Sequence, residues 1–174
     1  MSGGGGTLVL GVGNRLWADE GVGPYLADLL ATRVRVTDGA ILDGGTQGIF
    51  LLARIAEARR LLLLDAVELG LPPGEVVVVR GAGLEAFFGC RALSLHQTSL
   101  RDLLAAAGLI DCLPREVVLV GVQVADTGTW GGTLSPPVAA ACPRAVAQAL
   151  AILRRWGAVE DIPAEASAED APAG

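Results

Sequence analysis

The segment that most narrows what this chain can fold into is Arg60-Leu61-Leu62-Leu63-Leu64-Asp65. Four consecutive leucines offer no polar face, so a strand here must be covered by apolar neighbours on both sides. A sheet centre held between two layers of helices meets that demand; an antiparallel sheet with one wet face does not.

Strand-sized and helix-sized stretches alternate along the rest of the chain. Thr7-Leu8-Val9-Leu10 runs into Gly11-Val12-Gly13-Asn14 as a first strand and its turn. A helix is expected from about Gly21 to Ala31, with Tyr25, Leu26, Leu29 and Leu30 on one face. Val34 to Val36 and Ala40 to Leu42 are short strand candidates, Ile49 to Ala58 fits a helix, and the leucine strand is expected to end at Asp65. A turn at Leu71-Pro72-Pro73-Gly74 precedes a strand at Glu75 to Val79. A helix at Gln97 to Ala107 and a strand at Glu116 to Val122 follow. Ser135-Pro136 supplies an N-cap and a first-turn proline for a long helix reaching about Trp156. The expected fold is a single α/β domain, a mostly parallel twisted sheet flanked by helices on both faces.

At 174 residues and 52% hydrophobic content, one core needs neither disulfides nor a structural metal. Residues 1–6 are expected to be a flexible Gly-rich start, 7–156 the folded domain, and 157–174 an acidic, disordered tail. That tail holds five acids and no base, which leaves 14 acids against 13 arginines in the remainder. A nearly neutral folded part gives no reason to expect a nucleic-acid partner. No apolar run approaches the roughly 18 residues of a membrane span, and the start lacks a signal-peptide pattern, so the expected location is the cytoplasm. Cys90, Cys112 and Cys142 are odd in number and widely spaced, which reads as buried or idle thiols. Lysine is absent altogether, which excludes a P-loop and a Schiff-base mechanism.

In a parallel sheet, ligands sit beyond the carboxyl ends of the strands, so the turns there are where chemistry is sought. Gly11-x-Gly13 shares two glycines with a dinucleotide fingerprint, but Leu16 stands where the third belongs. Nucleotide binding is therefore the alternative from another class, and a tight strand-to-helix turn is the plain account. Asp19 and Glu20 precede the first helix, where either could complement its dipole, leaving the other free to face a metal. Asp65, at the end of the most apolar strand, is costly unless paired, solvated or metal-bound. His96 is the sole histidine, which excludes an H-E-x-x-H zinc site. No G-x-S-x-G elbow exposes a serine. Glu20, Asp65 and His96 could form an oxygen, oxygen, nitrogen set with open positions, suited to nickel, zinc or another divalent ion.

Taken together, residues 10–23 (Leu-Gly-Val-Gly-Asn-Arg-Leu-Trp-Ala-Asp-Glu-Gly-Val-Gly) and the Leu42-Asp43-Gly44-Gly45-Thr46-Gln47-Gly48 turn resemble the hydrogenase maturation proteases. The Leu64-Asp65-Ala66 strand end, Ser94-Leu95-His96-Gln97, Val120-Gly121-Val122-Gln123 and Leu134-Ser135-Pro136 extend that resemblance over roughly residues 7–155. It implies an α/β endopeptidase that removes a short C-terminal peptide from the large-subunit precursor of a nickel–iron hydrogenase after nickel insertion. By the same resemblance, nickel is carried by the substrate and sensed by Glu20, Asp65 and His96. Asp43 falls on the family's substrate-recognition acid, which makes Asp43 and Asp65 the candidate catalytic carboxylates. On its own, Asp43 reads as a turn residue bonding to Gly45. The segment from Val124 to Gly132, with Trp130 among glycines, departs from the I-x-P pattern of the family. A chaperone that senses nickel loading without cutting is a further alternative.

Overall fold

The computed structural model describes residues 5–45, 51–81, 83, 84, 86, 104, 105 and 107–163. Their elements are β1 (Thr7–Val12), a 3-10 turn (Ala18–Gly21), α1 (Val22–Ala31), β2 (Val34–Val36), β3 (Gly39–Gly45) and α2 (Leu52–Glu57). β4 (Arg60–Val67), β5 (Val76–Arg80), β6 (Glu116–Gln123), α3 (Pro136–Arg155) and β7 (Val159–Asp161) complete them.

Five strands form one sheet in the order β3-β1-β4-β6-β5. β3, β1, β4 and β6 pair in parallel, and β5 closes the edge antiparallel to β6. This is the expected mostly parallel architecture. Leu61, Leu62, Leu63 and Leu64 are all fully buried in its centre. Each contributes about 1.5–3 kcal/mol relative to exposure.

Alternation along β4 sends successive leucines to different layers. Leu62 and Leu64 join Val9, Leu26, Leu30, Val120 and Val146 under α1 and α3. Leu61, Leu63 and Val67 join Leu8, Leu10, Ile55 and Leu119 on the opposite face, beneath α2. α3 is long and apolar enough to cross a membrane by length and composition, but here its apolar face forms one wall of the core.

Three expectations change. β4 continues past Asp65 to Val67, because Ala66 and Val67 pair with Val122 and Gln123 of β6. The fold also extends beyond residue 156. β7 pairs antiparallel with β2, and the Ile162 N–H donates to the Arg33 carbonyl at 2.8 Å. Covering Val34 and Val36, both buried, is the physical reason that this part of the acidic tail is ordered. Finally, Ser135 makes no side-chain capping bond to α3; its hydroxyl is engaged elsewhere.

Candidate active site

Within this sheet β1 is followed in sequence by β3 on one side of it, while β4 lies on the other, so the topological switch point falls between β1 and β4. A crevice is expected beyond their carboxyl ends. The 3-10 turn carrying Glu20 lies against that end of β4.

The turn after β1 is shaped by backbone demands. Gly13 has φ +138°, and a Cβ there would stand 2.0 Å from the Glu20 carbonyl oxygen. A Cβ on Gly23 would meet the Val12 and Leu64 carbonyl oxygens at 2.1 and 2.4 Å, so this glycine lets α1 rest directly on β1 and β4. The N–H of Gly13 donates to Gly45, that of Asn14 to Glu20 and that of Trp17 to Asn14, all through carbonyls at 3.1–3.2 Å. The Leu16 N–H donates to Asn14 Oδ1 at 3.0 Å. Donors already used inside the protein make a poor phosphate cradle, so the Gly11-x-Gly13 turn serves packing.

Asp65 is 2% exposed, and its Oδ1 accepts the Ala66 N–H at 2.8 Å. Burial is the main cause that raises its pKa well above the ordinary carboxyl range; the Ala66 bond opposes this, and the nearby negative charge of Glu20 adds to it. Glu20 thus lies near enough to Asp65 at the switch point for its charge to bear on it. By strand alternation Asp65 stands on the side of Leu61, Leu63 and Val67. Two acids so placed favour a proton or a cation at the site. His96, the third member of the expected set, lies outside the described residues, as do Thr46, Gln47, Gly48 and Cys90. Among the described residues no three His, Cys, Asp or Glu side chains cluster for a metal.

Asp43 is not brought to that pair. Its Oδ2 accepts Arg15 Nε at 2.8 Å and its Oδ1 accepts the Gly45 N–H at 2.8 Å. Arg15 also grips Asp28 of α1 through two bonds of 2.8 and 3.1 Å. First Asp28 and then Asp43 hold the guanidinium firmly protonated. The acid of the turn is thus tied to α1, on the other face of the sheet from Asp65.

The sequence left open whether Asp19 or Glu20 complements the helix dipole; Asp19 does not serve α1 through its side chain. It is instead fully buried and reaches across the molecule. Its Oδ2 accepts the N–H groups of Ala125 and Asp126 and the Ser135 hydroxyl at 2.7–2.9 Å, while its Oδ1 accepts the Ser135 N–H at 2.6 Å. The adjacency of two acids was the only signal in the sequence for this role. Gln123 is likewise a pin: its Oε1 accepts the Leu69 and Leu71 N–H groups and its Nε2 donates to Glu68. Next to Arg15, a cleft of about 220 Å³ is lined by Ala18, Gly21, Tyr25, Gly132 and Leu134.

At the switch point of this mostly parallel sheet, Asp65 is buried and Glu20 half-buried. The pattern of the hydrogenase maturation proteases matches residues 24–152, a span that begins just after the Asp19-Glu20 turn and includes Asp43 and Asp65. The chain belongs to this family and is an endopeptidase. It is 46% identical over 168 residues to the hydrogenase expression/formation protein HupM of Azotobacter chroococcum mcd 1, covering 95% of this chain and 80% of that protein. The hydrogenase 2 maturation protease of Escherichia coli (strain K12) is 39% identical over 161 residues, covering 91% and 96% of the two chains. Among solved structures, the hydrogenase maturating endopeptidase HybD from E. coli superposes with a TM-score of 0.83 at 36% identity, covering 92% of this chain and 99% of that one.

Proposed function

We propose that this endopeptidase removes the C-terminal extension of a nickel–iron hydrogenase large-subunit precursor after nickel insertion, working in the cytoplasm. The printed names of its relatives, which concern hydrogenase formation and maturation, support the substrate class. The single observation that carries the metal part of the reading is the burial of Asp65 within the influence of the Glu20 charge.

Nickel enters as cargo of the substrate, held by the precursor, and Glu20, Asp65 and His96 complete its coordination. Two carboxylates and an imidazole are a moderate set, suited to sensing a metal that already has ligands. Burial makes Asp65 costly to ionise alone, and a divalent ion arriving beside it offsets that cost, so docking releases its proton. A precursor without nickel brings no cation, so Asp65 keeps its proton and the site gains nothing from docking. With the precursor seated, one carboxylate of the site takes a proton from water, the resulting oxygen attacks the scissile carbonyl, and the proton passes to the leaving amine. Asp43, at the rim and tied to Arg15, recognises the substrate.

Mass spectrometry of a purified precursor, with and without nickel, tests this after mixing with the protein. Loss of a C-terminal peptide from the loaded form alone is expected. An Asp65→Asn variant that cleaves at the normal rate would contradict the carboxylate role.

A further inference from the structure

The loop from Val124 to Ser135 is joined to the Trp17–Glu20 segment more extensively than loop closure requires. Trp17 and Trp130 form an antiparallel bridge, and their rings meet edge-on with centroids 4.9 Å apart. The Gly131 N–H donates to the Leu16 carbonyl at 2.8 Å, and the Asp19 N–H to the Asp126 carbonyl at 3.0 Å. Between these ties Ala18, buried, holds φ +25°, a conformation that L residues seldom adopt. A strained residue persists only where its surroundings over-determine it, and here both neighbours are fixed by the same loop.

Asp19 is the centre of the arrangement. With 0% exposure it accepts four hydrogen bonds, all from residues 125–135. Its peptide neighbour is Glu20, whose N–H donates to the Trp17 carbonyl at 2.9 Å and whose carbonyl accepts the Asn14 N–H at 3.1 Å. The backbone that carries Glu20 toward Asp65 is therefore set by the loop, through Asp19. Trp130, on that loop, remains 63% exposed.

We infer that Asp19 is the positioning residue of Glu20, fixing through the 124–135 loop the geometry with which Glu20 faces Asp65. The inference rests on Glu20 being part of the site. Asn at position 19 can place its carbonyl oxygen toward the three donors that share Oδ2. Its amide nitrogen then faces the Ser135 N–H, donor against donor.

A double-mutant cycle on cleavage of nickel-loaded precursor tests it, run on the full chain well below the melting temperature of each variant. Asp19→Asn is expected to lower kcat/KM about tenfold and Ser135→Ala about threefold, with Ser135→Thr restoring the loss. In a Glu20→Gln background the same changes are expected to cost less than about twofold, because the group they position is gone. Losses that multiply in full would mean a general structural role and overturn the inference. An unaltered Ser135→Ala also overturns it, and that variant decides the matter if Asp19→Asn does not fold. Glu20→Gln cleaving like the wild type removes the site reading itself; Glu20→Gln impaired with multiplying losses removes only the positioning role.

Discussion

Asp43 and Asp65 stand at the same end of the sheet but on opposite faces. Gly11 of β1 pairs with Asp43 on one side and with Leu64 on the other, which sets the two acids about two strand spacings apart, roughly 10 Å. Ile41, Asp43 and the Arg15–Asp28 link lie on the α1 side, whereas Leu63, Asp65 and Val67 lie on the α2 side. They cannot act as one carboxylate dyad sharing a proton, and their substitutions should give different signatures.

For Asp65 the signature is in stability. Its folded-state pKa is raised, so folding takes up a proton, and stability is lost as pH rises from the unfolded carboxyl value toward the folded one. Asp65→Asn removes the ionisable group and keeps an oxygen for the Ala66 N–H. Thermal melts should show the variant with a higher Tm than the wild type at neutral pH. The gap should narrow as pH falls toward the ordinary carboxyl range of about 4. A lower Tm at neutral pH would contradict the burial cost.

Asp43→Asn should behave otherwise. The Arg15 and Asp43 side chains are 44% and 41% exposed, so losing their ion pair should cost no more than about 1 kcal/mol, and less in high salt. Its larger effect is expected in KM for the precursor, with kcat little changed. Steady-state kinetics at matched pH separate the two constants, and a loss confined to kcat would place Asp43 in the chemistry.

Gly13→Ala should be severe. The substitution forces an L side chain to φ +138° and drives its Cβ into the Glu20 carbonyl. Denaturant unfolding should show a loss on the order of 2–4 kcal/mol. A near-neutral result would mean that the turn relaxes freely, and with it the placement of Glu20.

Much of the fold was legible because its signals are local. Four leucines in a row require two-sided cover, and the spacing of Leu26 and Leu30 marks the inner face of α1. The mistaken details all depend on distant partners. Asp65 looked like a strand end because polar residues usually terminate apolar runs; pairing with Gly121 keeps it inside β4. β7 is too short and too acidic to be recognised without β2 beside it. Ser135 has the sequence of an N-cap, yet its hydroxyl serves Asp19, 116 residues away. The candidate site was legible as far as residue types: the charge of Glu20 bears on buried Asp65, whereas Asp43 is set apart by strand alternation, which a one-residue difference in register decides.

If nickel travels with the substrate, the free protein should not depend on a metal for its fold. Dialysis against a chelator should leave its Tm unchanged, as scanning calorimetry can check; a clear drop would indicate a resident ion.

The central claim is that Glu20 and Asp65 face the metal carried by the precursor. X-ray absorption at the nickel edge, on loaded precursor alone and on samples frozen within the first turnover after mixing with the protein, tests it most directly. The account predicts that oxygen or nitrogen donors join the nickel shell on mixing and that Glu20→Gln diminishes the change. Identical spectra for the free precursor and for a complex shown to have formed would contradict it.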